Sequence, residues 1–169
     1  MTDKTKFQDN AMLIDGRGLE GEGGFRLMPD DQFSIGKSSA EVNVEAGSWA
    51  TTLSYLWVHP EDGEQHGFLL MSQPDEDELV QATFVDSWHQ KPGLMNLVGT
   101  CVDNTTSLHA TYMETWGWNI SVSINEDRSV RMVMQNVVPE EAISMAPEGV
   151  EFQAGPYDVM CFHWRLEGE

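Results

Sequence analysis

Residues 117–125 read GWNISVSIN. Trp118, Ile120, Val122 and Ile124 fall on alternate positions, and Asn119, Ser121, Ser123 and Asn125 fall between them. Side chains on a strand point by turns to its two faces, so this segment is an extended strand with one apolar and one polar side. A strand of that kind belongs to an antiparallel sheet that packs on a core from one face and meets water on the other.

The same period of two runs outward from there, from about residue 38 to the end. SAEVNVEA at 39–46 alternates, and after Gly47 and Ser48 the segment WATTLSYLWVH sets Trp49, Thr51, Leu53, Tyr55 and Trp57 on one face. HPEDGEQHG then supplies a hairpin turn, with Pro60, Asp62 and Gly63 as its breakers. Further strands are expected at about 65–73, 78–88, 94–102, 107–114, 117–125, 129–137 and 157–166. The connections are short, enough to join antiparallel neighbours but not to hold the crossover that a parallel pair requires. A meander of this length has two edges unless it closes. The expected fold is therefore all-β, an antiparallel up-and-down β-barrel of about eight to ten strands, closed or nearly so. One domain is expected over residues 1–169, with a less regular segment at 1–37. A long loop or short helix is expected at 138–156, beginning at Pro139 and ended by Pro147 and Gly149.

Twenty-eight acidic residues face nine basic ones, for a formal net charge of -19. A field of that sign repels phosphates and anionic lipid surfaces, which disfavours nucleic acid and membrane partners. The opening MTDKTKFQDN has no apolar core of signal-peptide type, and no later segment reaches a membrane-spanning length, so a cytoplasmic location is expected. Cys101 and Cys161 form no CxxC pair and read as free thiols in a reducing compartment.

Three short patterns invite functional readings. GRGLEG at 16–21 matches GxGxxG, but a dinucleotide fingerprint needs a helix to open at the third glycine, whereas EGGFRLMPDD follows here, so a bulged strand or irregular chain is expected. His59 and His66 flank one hairpin turn and would make two ligands for zinc or copper if they faced each other, although no spacing fixes a third. His163 on the last strand is the candidate axial ligand for haem. Met160, Phe162, Trp164 and Leu166 claim the apolar side of that strand and send His163 outward.

The segment FVDSWHQKPGLMNL at 84–97 gathers Asp86, Ser87, Trp88 and His89. Alternation puts Val80, Ala82, Phe84, Asp86 and Trp88 inside and Ser87 and His89 outside, which breaks up a Ser/His/Asp relay. Gln90 to Gly93 then read as the turn. An inward Asp86 is costly to bury unless it is hydrogen-bonded or functional. It would bind the polar end of a ligand, act as a base, or tie two strands together.

The stretches LSYLWVHPEDGEQHG (53–67), FVDSWHQKPGLMNLVG (84–99), ETWGWNISVSI (114–124) and VMQNVVP (133–139) carry a resemblance. Its residues are Tyr55, Trp57, Asp86, Ser87, Trp88, His89, Gly99, Trp116, Gly117, Trp118, Met134, Asn136 and Pro139, with Arg165 near the end. In them the chain resembles a bacterial family of uncharacterised proteins similar to calycins, the superfamily of lipocalins, fatty-acid-binding proteins and nitrobindin-like barrels. The resemblance implies a calycin-like barrel able to hold a small apolar molecule, and it carries no reaction with it. The GxWxGxGxG opening of the haem-binding barrels is absent.

The functional expectation is noncovalent binding of a small, partly apolar or amphipathic molecule inside the barrel, without a cofactor. Tyr55, Trp57, Trp88 and Trp118 are expected to line the cavity, with Asp86 and Tyr112 or Asn136 as polar contacts. The alternatives are a small-molecule enzyme of isomerase, cyclase or hydrolase type with Asp86 as its acid or base, and a barrel that serves as a scaffold for protein partners.

Overall fold

The computed structural model describes residues 5–146 and 153–168. In chain order the elements are α1 (Lys6–Leu13), β1 (Arg17–Phe25), β2 (Ser34–Glu45), β3 (Ala50–His59), β4 (Gly63–Ser72), β5 (Leu79–Asp86), β6 (Gln90–Val102), β7 (Thr105–Tyr112), β8 (Trp116–Ile124), β9 (Val130–Val138), α2 (Glu140–Ile143) and β10 (Gly155–Leu166). The ten strands form one closed antiparallel barrel in which each pairs with its neighbours in sequence and β10 returns to β1. The up-and-down barrel read from the alternation is thus the observed architecture.

Strand parity sets the interior. Trp118, Ile120, Val122 and Ile124 of β8 are buried, as are Met160, Phe162, Trp164 and Leu166 of β10. On β3 the inward face runs Thr51, Leu53, Tyr55, Trp57 and His59. Trp49 was expected on that face, but it precedes the strand and is 68% exposed. His163 points outward, so it does not face the interior that an axial haem ligand would have to reach.

Two elements lie in the segment expected to be less regular. Strand β1 turns Leu19, Gly21, Gly23 and Phe25 inward, so half of its inner face is glycine and apolar periodicity does not reveal it. The glycines are required by close approach. A Cβ on Gly21 would lie 1.9 Å from the His163 carbonyl oxygen, and one on Gly23 would lie 2.7 Å from the Phe162 ring. GRGLEG thus runs into a strand, with no helix opening to receive a pyrophosphate.

Helix α1 closes one end of the barrel. Thr5 caps it, its side chain accepting from the Gln8 N–H, and Phe7, Ala11 and Ile14 present a buried face at helical spacing. Asn10 donates to the Ile124 carbonyl at 2.7 Å, and Gln8 donates to the Ser48 carbonyl. The interior beyond is solid: Phe162 and Trp164 stack at 4.8 Å between ring centres, Tyr55 packs on Phe162 at 5.2 Å, and Trp164 donates to Ser38. The opposite end is built from the termini of β1, β3, β5, β7 and β9 and the loops that follow them. Helix α2 lies there with Pro139 as its N-cap and Glu140 and Glu141 in its first turn, where a short helix was expected to begin. Pro147 and Gly149, expected to end it, lie outside the described residues. Among the described residues no helix is long and apolar enough to cross a membrane.

Candidate functional site

Toward the end opposite α1, Tyr55, Gly67 and Asp86 stand in one row across β3, β4 and β5. Because Gly67 has no side chain, the Tyr55 phenol lies over β4 and donates to Asp86 Oδ2 at 2.7 Å. The same oxygen accepts from Trp57 Nε1 at 3.3 Å. Asp86 Oδ1 accepts from the backbone N–H groups of Trp88 and His89 at 2.8 and 2.9 Å and lies 3.2 Å from His89 Nδ1. The carboxylate is 1% exposed and has a partner for each of its lone-pair directions. It ties β5 to β3 across β4 and holds the turn that follows it.

That turn corrects the expected face of His89. Asp86 pairs with Gln90, so the chain reverses over Ser87 to His89, and Lys91 to Leu94 bulge out before Met95 pairs with Phe84. Alternation stops where the strand stops, and His89 swings inward with its side chain 7% exposed. Ser87 leaves the group, donating to Gln65 at 2.7 Å and accepting from the His66 N–H. No Ser/His/Asp relay forms, but Asp86 and His89 are a hydrogen-bonded pair.

Burial alone would raise the Asp86 pKa. The hydrogen bond and charge of His89, the Tyr55 hydroxyl and the His89 N–H outweigh it and hold the carboxyl at about 2, below its ordinary 3.8. A depressed pKa in the folded state means stability that is complete above the unfolded value and lost as pH falls through the folded one. The stability difference between the wild-type protein and Asp86→Asn should therefore be flat down to about pH 4 and narrow by roughly 2 kcal/mol between pH 4 and 2, measured by urea denaturation.

Above this tie lies a cavity of about 240 Å³. Phe25, Phe84, Met95 and Val159 supply apolar wall, and Trp88, Tyr112, Trp118 and Asn136 line it as well. Tyr55, Trp57 and Asp86 do not line it. They form the layer beneath, consumed by the hydrogen bonds above. Arg26, His89, Gln90 and Tyr157 also reach the cavity and were not expected there. Tyr157 is brought in by a β-bulge between Asp158 and Met160, which reverses parity along β10.

The polar groups of the rim are chained together. Tyr112 donates to Asn136 Oδ1 at 2.6 Å, Asn136 donates to the Tyr157 hydroxyl at 3.3 Å, and Tyr157 donates to the Leu27 carbonyl at 3.0 Å. Burial, with Tyr157 nearby, raises the Tyr112 pKa and keeps it a hydroxyl donor. Trp57, Trp88 and Trp164 each find an acceptor for the indole N–H, Trp88 using Asp62 at 2.9 Å. Trp118 Nε1 and His89 Nε2 find none, although both atoms are buried. Their rings are neighbours, 5.5 Å between centres.

The histidine pair flanking the β3–β4 turn does not assemble. His59 faces inward, stacked on Trp88 at 4.9 Å, with Nδ1 accepting from the N–H groups of Glu61 and Asp62. His66 pairs with Leu56 in register and points outward beside Glu64. Among the described residues no three metal-ligating side chains cluster. Neither a scan against protein-family models nor a search of curated proteins returns a match for this chain.

Proposed function

We propose that the barrel binds a small, partly apolar molecule noncovalently in the cavity at the end opposite α1. The observation that carries this reading is the cavity itself, about 240 Å³, walled by Phe25, Phe84, Met95 and Val159 with Arg26, Tyr112 and Asn136 as polar groups on its lining. A few convergent polar groups in a largely apolar pocket are the usual design of a small-molecule site. The up-and-down closure also supports a calycin-like barrel of the bacterial family that the sequence resembles. On β8 the outward positions are Asn119, Ser121 and Ser123 and the core is apolar, the reverse of a lipid-facing barrel, which favours a soluble protein.

A titration with one-ring compounds such as toluene and indole tests it. They are expected to shift the Trp118 indole N–H and the Met95 methyl resonances in saturable fashion, and Val159→Trp, which fills the cavity, should weaken binding at least about tenfold. Unchanged binding by Val159→Trp would contradict the assigned place. An enzymatic second reading is favoured by the Asp86–His89 pair: a carboxyl at about 2, fully hydrogen-bonded, is a poor base near neutral pH, whereas the imidazole it orients is suited to proton transfer.

A further inference from the structure

The polar chain along the cavity wall has a fixed direction. Leu27, Tyr112, Asn136 and Tyr157 all line the cavity, and Tyr112 and Asn136 are half-buried residues at inward positions of β7 and β9. The far end of the chain is the Leu27 carbonyl, which can only accept, so Tyr157 gives it its one proton. The contact between Asn136 and Tyr157 must then be donated by Asn136, which turns the amide NH₂ toward Tyr157 and the amide oxygen toward Tyr112. The distances agree: 2.6 Å from Tyr112 to Asn136 Oδ1 is the length of an O–H to oxygen bond, and the longer contact of 3.3 Å falls to the amide N–H. Tyr112 thus commits its proton inside the chain. Its oxygen, at the near end, offers a ligand only lone pairs.

That end selects for a donor. A cationic amine would donate, but Arg26 lines the same cavity and none of its described lining residues is Asp or Glu. The donor is therefore a neutral O–H or N–H. Neighbouring valences separate the two. Asn136 has a second amide N–H, and the Arg26 guanidinium, which uses Nε and Nη1 on the carbonyls of Asp158 and Pro29, has further N–H groups with no partner among the described residues. These call for an acceptor as well. A hydroxyl is donor and acceptor in one atom, whereas an indole N–H only donates. The walls add the rest of the description. Phe25, Phe84 and Trp88 offer aromatic surface, and a dry cavity of about 150 Å³ is known to take benzene, so about 240 Å³ accommodates one ring with a short substituent.

Resting on the binding function proposed above, we infer that the ligand is a small neutral aromatic molecule bearing a hydroxyl group, which donates to the Tyr112 oxygen. Two isomers of one formula test the direction of that bond: p-cresol donates and accepts through its oxygen, whereas anisole only accepts. p-Xylene, with the same number of heavy atoms, does neither. Each is titrated by calorimetry and followed at the Met95 methyl resonance. p-Cresol is expected to bind at least about fivefold more tightly than anisole, the scale of one hydrogen bond between neutral groups. Asn136→Leu frees the Tyr112 proton, so Tyr112 can donate to anisole as well as accept from p-cresol, and the preference should fall below about twofold. The ratio is taken within one protein, so a general change in the cavity cancels from it, and the wild-type ratio decides by itself if the variant does not fold. If anisole binds the wild-type protein as tightly as p-cresol, or the preference survives Asn136→Leu, the hydroxyl assignment is overturned while p-xylene binding keeps the cavity reading intact. If none of the three perturbs Met95, the binding function itself falls.

Discussion

Asp86→Asn is expected to destabilise the protein by roughly 3 kcal/mol, read as a lower midpoint in chemical denaturation with an unchanged slope. The two side chains have nearly the same shape, so the change opens no cavity and the effect is electrostatic. Every group around Asp86 is a donor: the Tyr55 hydroxyl, the Trp57 indole, two backbone N–H groups and His89 Nδ1. An asparagine can accept through one oxygen only. Its NH₂ must then face either the Trp57 indole N–H or the two N–H groups of the turn, donor against donor, in a site from which water is excluded. A loss below about 1 kcal/mol would show that the carboxylate is not what fastens the strands.

A change of similar size is expected from Gly67→Ala, for a different reason. The added Cβ would lie 1.9 Å from Tyr55 Cζ and 2.1 Å from its hydroxyl oxygen, and the ring is held from the other side by Phe162. Tyr55 must leave its place over β4, so the variant combines overpacking with loss of the phenol to carboxylate hydrogen bond, together roughly 3 kcal/mol. Thermodynamic coupling separates this from a general intolerance of the strand. In a Tyr55→Ala background the same Gly67→Ala change should cost less than about 1 kcal/mol, because nothing remains to collide with. Equal costs in both backgrounds would refute the steric account.

Most of the barrel was legible because alternation is a property of strands, and nine of the strands carry enough apolar side chains to show it. Strand β1 was not, since Gly21 and Gly23 occupy inward positions where its neighbours leave no room for a side chain. The α1 helix left a signal that composition concealed: Thr5 and Gln8 stand at capping-box spacing ahead of Ala11 and Ile14, within a stretch whose polarity drew attention instead. In the candidate site, Trp88, Tyr112, Trp118 and Asn136 line the cavity they were expected to line. His89 was placed outside by carrying parity past the end of β5, although an aspartate opening a turn by accepting from the N–H groups two and three residues on is a known alternative to strand. Tyr157 was hidden by the bulge in β10.

The seam between β1 and β10 bears on the order of assembly. Nine of the ten pairings join strands adjacent in the chain, and each can form as a hairpin from segments already close together. The tenth aligns Leu19 with Leu166, across nearly the whole length of the protein, and the loop that it closes is the most costly in chain entropy. The expected order is therefore that the curled sheet forms before the ring closes, with β1 and β10 as the two borders left to pair last. Gly21 and Gly23 lie on one of those borders, where the final approach of Phe162 and Trp164 needs backbone without side chains. In that sense the glycines are a latch, and a methyl group there would act on the last step of folding rather than on the nine that precede it.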